Sequence, residues 1–486
     1  MRKNSQLVFI ILFSLLSTSL IAQPANLLQE CWKKQAGAAK SNYLTLTYSE
    51  KRSELEKNFD PWHATNYKGN GMAWCNTENF QKLDSMISGK RSHLSRIQYS
   101  KNTLLKQNYD ARILSPVSKS MLSNYILQTA RYSPVMLLDY FNEKSLQPEK
   151  ESTSYYALYK AIIDKKIVSL YIRKSDSLLY QVTILEDDPF LGDLLTTMAY
   201  DEFMMAGSLK VPSKIAIRRF NNKVNEEVVV SNAVFTSNVT PLLVKPAVYN
   251  YVEEPIASPA VSVEKYTDQI HFITLKHTDD KAMVVEFKDF LLIAEAPGST
   301  TNGELILREA KNIAPSKPVR YFVAGHHHAD YMGGLRAFVS EGSQIICNNA
   351  NREYIKYIAN APHTLNPDEL QLHPKPLVLD TLVGNSKVIT DGKLEMKIYW
   401  IGIKSQHTSD FMMYYFPAEK MLFEDDLTWI RKDGYQVKAN VRQAALYNAI
   451  KELKLDVKTI IQSSPANSPN VLSVIPFEEL EKTLVK

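Results

Sequence analysis

The chain has 486 residues, more than one hydrophobic core of ordinary size takes in, so two domains are expected. Hydrophobic residues make up 45% and charged residues 22%, the balance of a globular protein rather than a disordered or fibrous one. The net charge is +5, with Lys and Arg scattered among Asp and Glu and no long basic run, which argues against nucleic-acid binding.

The first 22 residues read as a signal peptide. Arg2 and Lys3 form a positive start, residues 7–16 an apolar stretch too short for a membrane span, and Ser17, Ser19 and Ala22 the small residues before cleavage. Cleavage is expected after Ala22, and no cysteine stands there to take a lipid. A periplasmic or secreted protein is therefore expected, with no transmembrane segment in the mature chain. Of three cysteines, Cys31 and Cys75 could pair, and Cys347 reads as a small buried hydrophobe. Any metal must be held by histidine and carboxylate.

Leu27, Leu28, Cys31 and Trp32 recur at helical spacing and predict an opening helix within residues 26–40. Residues 43–130 are mixed: strands are expected at 69–75 and 100–109, with a polar, partly helical stretch between, and no chemistry is read there. Runs at 155–162, 166–172, 178–185, 194–204, 213–220 and 226–235 alternate with polar breaks, the spacing of an antiparallel meander. The segment YDEFMMAGSLKVPSKI at 200–215 resembles the half-barrel of bacterial lipoprotein carriers, which implies a concave sheet able to hold an acyl chain or another apolar ligand. Pro241, Pro246, Pro255 and Pro259 mark residues 236–264 as a linker between a β-rich domain at 23–235 and a second domain at 265–486.

The second domain alternates strands and helices, an α/β pattern. Strands are expected at 270–275, 283–287, 290–294, 319–324, 344–347, 411–416 and 459–461, and helices at 303–313, 352–359 and 441–454. A hairpin is expected around Asp391-Gly392. The run VRYFVAGHHHADYMGG, residues 319–334, places His326, His327, His328 and Asp330 just past a buried strand. In extended backbone i and i+2 share a face, so His326 and His328 can meet one ion while His327 points away.

His326, His328 and Asp330 with the glycine pair, then His407-Thr408, then LFEDDL at 422–427, resemble the metallo-β-lactamase-fold hydrolases over residues 265–486. The resemblance implies an αββα sandwich. It also implies a zinc site of His326, His328 and His407, three imidazoles with an open position for an activated water. Asp330 matches the family's carboxylate that holds a second metal or orients the water, and Asp426 the acid that braces the pair, with Asp425 as the alternative register. Two residues depart from the pattern: Tyr331 stands where the family has a His, and no His follows His407. Both belong to the second metal site, so one zinc is expected, with the second doubtful. Tyr331, or Ser464, can instead donate a hydrogen bond to an oxyanion. His363 and His373 are expected at the surface. The expectation is a single-metal hydrolase acting on an ester, lactone, thioester or amide, with Asp330 as base and Tyr331 as electrophilic assistant. The alternative is a non-catalytic binding protein that keeps the fold and holds an apolar ligand in its N-terminal domain.

Overall fold

The computed structural model describes residues 26–484 except 56–57, 90, 101–102, 109–112, 117–118, 244–259 and 434–437. The expected signal peptide and the middle of the expected linker lie outside the described residues. Among the described residues no helix is long and apolar enough to cross a membrane.

The N-terminal half is one antiparallel sheet of twelve strands, two six-stranded meanders joined edge to edge. The join is made by the first strand, Tyr43–Glu54, and the last, Val224–Thr236, which pair antiparallel. The meander expected from residue 155 onward is present as six strands from Tyr156–Ile163 to Val224–Thr236. The first meander departs from expectation: Asn79–Ser88 and Arg91–Ser100 are paired strands where a partly helical stretch was expected. The reason is visible in Asn79–Ser88, whose inward positions include Phe80, Lys82, Asp84 and Met86. Two of those four are charged, so the alternation of apolar and polar residues is masked. Lys82 and Asp84 are buried as an ion pair, with the Tyr132 hydroxyl 3.0 Å from the ammonium.

The opening helix, Leu27–Gln35, packs on helix Val135–Glu143 within the core of this half. Cys31 and Cys75 are both free thiols buried in that core, so the expected pairing is not made. The Cys31 thiol instead donates to Gln35 Oε1, and burial pushes the Cys75 thiol up to about 12. A cavity of about 470 Å³ beside Tyr125 and Met198 is lined by Arg52, Lys82, Lys106 and Arg131 as well as by apolar side chains. Its wall is therefore not the apolar one that an acyl-chain carrier implies.

The C-terminal half is an αββα sandwich, as expected. A seven-stranded sheet, antiparallel from Val261–Lys265 to Leu291–Ala294 and parallel onward to Val378–Thr381, faces a six-stranded sheet from Ser386–Thr390 to Val474–Pro476. Its first strand takes in residues that the sequence assigned to the linker. Phe272, Val285 and Val323 of one sheet interleave with Ile398, Tyr414 and Phe423 of the other in a fully buried core. Helices Thr300–Ile313, Leu335–Glu341 and Arg352–Asn360 cover the outside of the first sheet, and Val441–Glu452 and Phe477–Leu484 the outside of the second. Strands buried on both faces read as continuous apolar runs, which is why these were legible.

The two halves are packed against each other. Phe190, Leu191 and Leu194 of the N-terminal sheet join the core under helix Arg352–Asn360, and burying each stabilises the contact by about 1.5–3 kcal/mol. Beside them Asp193 accepts hydrogen bonds from the backbone of Thr364 and Leu365, and its own N–H donates to Pro362 O. Gly192 permits this approach, because a Cβ there would lie 2.4 Å from Pro362 O. His363 is buried at this seam rather than exposed, whereas His373 is exposed as expected.

Candidate metal centre

Strand Val319–Val323 ends in the sheet interior and its continuation carries His326, His327 and His328, all buried. His407 reaches the same point from the loop after the short helical turn Gly402–Ser405. One ligand atom each from His326, His328 and His407 lies within 4.8 Å of the others. Among the described residues no other group of this kind occurs.

Hydrogen bonds fix which nitrogens face inward. His326 Nδ1 lies 2.6 Å from Asp425 Oδ2, and in the tautomer that donates to this carboxylate Nε2 is the bare nitrogen. His328 Nε2 donates to the backbone carbonyl of Asn58 at 3.0 Å, leaving Nδ1 bare. His326 Nε2 and His328 Nδ1 then stand 2.9 Å apart. His407 Nε2 is buried and makes no well-aligned hydrogen bond, with Asp426 Oδ2 3.3 Å away. Three nitrogen lone pairs thus converge in a water-poor site, an arrangement that a cation satisfies and a proton satisfies only for two of the three. Burial, then the charges of neighbouring imidazoles, holds His326 well below the usual imidazole range, and the same causes lower His328 to about 4. Both rings are neutral at physiological pH, the form that ligates a metal.

His327 points away from this group, as the i, i+2 argument requires. It is bracketed by Asp410 Oδ1 at 2.9 Å and Asn58 Oδ1 at 3.1 Å. Asp426 Oδ2 lies 3.3 Å from His407 Nε2 and 3.5 Å from the guanidinium of Arg442. Asp330 is exposed on the short helix Ala329–Met332, outside the three-histidine group. Tyr331 is buried with its ring 4.5 Å from that of His326. Burial, then the carboxylates of Asp426 and Asp425, pushes its hydroxyl up, so it stays a neutral donor.

Behind the histidines lies a second layer that the sequence reading missed. Asp425, which holds His326, sits in the fully buried neighbourhood of Glu295. Glu295 accepts from the Tyr414 hydroxyl at 2.8 Å and from the Gly325 N–H at 3.0 Å. Burial raises both carboxyls, and Asp425 further through the charge of Glu295, so the pair keeps a proton at neutral pH. Gly325 is required here, because a Cβ would stand 2.1 Å from Asp425 Oδ2. Asp425 thus meets His326 while Asp426 meets His407. Asp410, three residues after His407, was within reach of sequence reasoning as a local pair. Asn58 was not: it comes from the N-terminal half, in a region from which no chemistry was read.

The strand end that would carry a late second-site ligand is Thr459–Gln462. Gln462 is committed to Trp429 N and Leu472 O, and the Ser463 hydroxyl to Lys281 O. Ser464 bonds to Asp280, whose carboxyl burial pushes up to about 7.

No protein-family profile matches the sequence, and no curated protein does. Solved structures are similar to part of it. A metallo-β-lactamase from Pontibacter korlensis is 17% identical, with a TM-score of 0.32, over 46% of this chain and 98% of its own. The metallo-β-lactamase FIM-1 from Pseudomonas aeruginosa, in a mono-zinc form, is 19% identical, with a TM-score of 0.34, over 47% of this chain and 95% of its own. A sec-alkylsulfatase from a Pseudomonas species is 12% identical, with a TM-score of 0.33, over 46% of this chain and 40% of its own.

Proposed function

We propose that the chain is an exported metallohydrolase that uses one zinc ion, held by His326, His328 and His407, to cleave an ester, lactone, thioester or amide. The observation that carries this reading is the convergence of three buried imidazole nitrogens, two rings oriented by Asp425 and Asn58 and the third beside Asp426. When bound, zinc supplies a water acidified into the neutral range and a positive charge against the developing oxyanion. The chain's own residues do the rest. Asp425 and the Asn58 carbonyl hold the two rings by their outer nitrogens, which fixes their angle and raises their basicity. Asp330, exposed beside the histidines, is the candidate base for the attacking water. Tyr331, a neutral donor at working pH, is the candidate partner for the carbonyl oxygen.

A single ion is proposed because Tyr331 replaces one second-site ligand and Gln462 and Ser463 are occupied where another would stand. Metal analysis tests the reading: about one zinc per chain, lost together with ester hydrolysis in His326→Ala, supports it. Two tightly held ions in the wild type overturn the single-site assignment. Mass measurement of the mature protein tests export, with a start at Gln23 as the expected result.

A further inference from the structure

Beside the histidines lies a cavity of about 340 Å³, within the range of small-molecule sites, with His328 and Asp330 among its lining. Its walls are aromatic and come largely from the other half of the molecule. Trp62 follows strand Tyr43–Glu54 in the loop that also carries Asn58. Phe190 and Leu191 form the turn between strands Leu178–Asp188 and Gly192–Ala206, and Phe220 ends strand Leu209–Arg219. Tyr354 closes the ring from helix Arg352–Asn360, 5.2 Å from Trp62 and 6.0 Å from Phe190, centroid to centroid. Trp62 and Phe220 both hold left-handed backbone, φ 65° and 51°, a conformation bulky side chains rarely adopt and one that gathers at ligand clamps. Among the described residues the charged side chains lining the cavity, apart from its histidines, are Asp188 and Asp330, while Lys223 and Arg219 lie behind it, stacked on Trp62 at 5.3 Å and on Phe220 at 4.8 Å.

We infer that the loops at this end of the twelve-stranded sheet are the specificity half of the reaction site, and that they select a substrate carrying an uncharged apolar group, aryl or short acyl, next to the bond that is cleaved. The aromatic faces supply area for such a group, and a carboxylate seated against them would lose its water without a Lys or Arg among the described lining residues to pair with it. The inference rests on the hydrolase reading for its chemistry and adds the substrate class.

The test is calorimetric titration of the zinc-loaded full chain with 4-phenylbutyramide and with the same amide bearing a carboxylate on its ring. Expected are measurable binding of the neutral amide, at least tenfold weaker binding of the carboxylated one, at least tenfold weakening in Trp62→Ala, and recovery in Trp62→Phe. Equal binding by wild type and Trp62→Ala, preference for the carboxylated amide, or no binding by wild type overturns the inference. Hydrolysis separates it from the parent reading. The ratio of kcat/KM for a 4-phenylbutyryl ester over an acetyl ester should fall at least tenfold in Trp62→Ala. If the amide binds as stated and neither ester is cleaved, the hydrolase reading fails and the pocket stands. If both esters are cleaved with an unchanged ratio, the pocket assignment fails alone.

Discussion

The carbonyl of Asn58 and the Nε2 of His328 are hydrogen-bonded at 3.0 Å across 270 positions of sequence. A residue of the N-terminal half thereby decides which nitrogen of a candidate ligand faces the other two imidazoles. Asn58→Ala keeps that carbonyl but removes the amide that meets His327, leaving a buried ring nitrogen unpaired. The expected cost is about 1–3 kcal/mol in thermal or urea unfolding. Zinc affinity, read by competition with a chelator, should fall roughly tenfold as the loop loosens. Unchanged stability and affinity would show that the loop merely rests on the site.

Asp425→Ala removes the acceptor for His326 and leaves Glu295 without its neighbour. Zinc affinity should fall by roughly 10- to 100-fold. Gly325→Ala should mimic part of this loss, because its new methyl occupies the space of the Asp425 carboxyl. In the double variant Gly325→Ala, Asp425→Ala the two losses should not add. Strict additivity in chelator competition would contradict the proposed contact.

The metal-free protein should be most stable in mildly acidic solution. Burial pushes the Glu424 carboxyl up to about 8 and that of Asp280 to about 7. A carboxyl raised on folding binds more protons folded than unfolded, so its contribution is present below pH ~4.5 and is lost as pH rises through 7 to 8. His328 is lowered to about 4, so its contribution is present above pH ~6.5 and is lost as pH falls toward 4. Between pH ~4.5 and ~6.5 the two carboxyls together lose more than the one histidine gains, so the Tm of the metal-free chain should peak near pH ~4.5 and decline toward pH 8, and Glu424→Gln should flatten that decline. A Tm rising steadily to pH 9 would refute this.

Arg336 is buried with its guanidinium forked onto Asp368 and donating to the carbonyls of Ile358, Ala359 and Ala361. Lysine has the charge but not the fork, so Arg336→Lys strands several acceptors at once. A loss of about 3 kcal/mol in denaturant unfolding is expected. A loss below about 1 kcal/mol would mean that water replaces the missing donors.

The C-terminal half was legible because its strands are apolar on both faces and its three histidines carry their own spacing. The second meander was legible from its polar breaks. The first was obscured by Lys82 and Asp84, charged residues on an inward face that look like surface when read alone. The candidate site was legible only in its inner layer. Glu295 and Asp425 act through burial, which one-dimensional spacing does not report. Asn58 and Trp62 act through the packing of one half on the other, which no local pattern encodes.

The pairing of Tyr43–Glu54 with Val224–Thr236 joins positions as far apart as Thr45 and Thr236, separated by 191 residues. Until the last strand has been synthesised, the first has one bare flank, a template for mispairing with other chains. Contacts so distant also form late and slowly. The loop bearing Asn58 follows directly on that first strand, so the candidate metal centre waits for this ladder to zip shut.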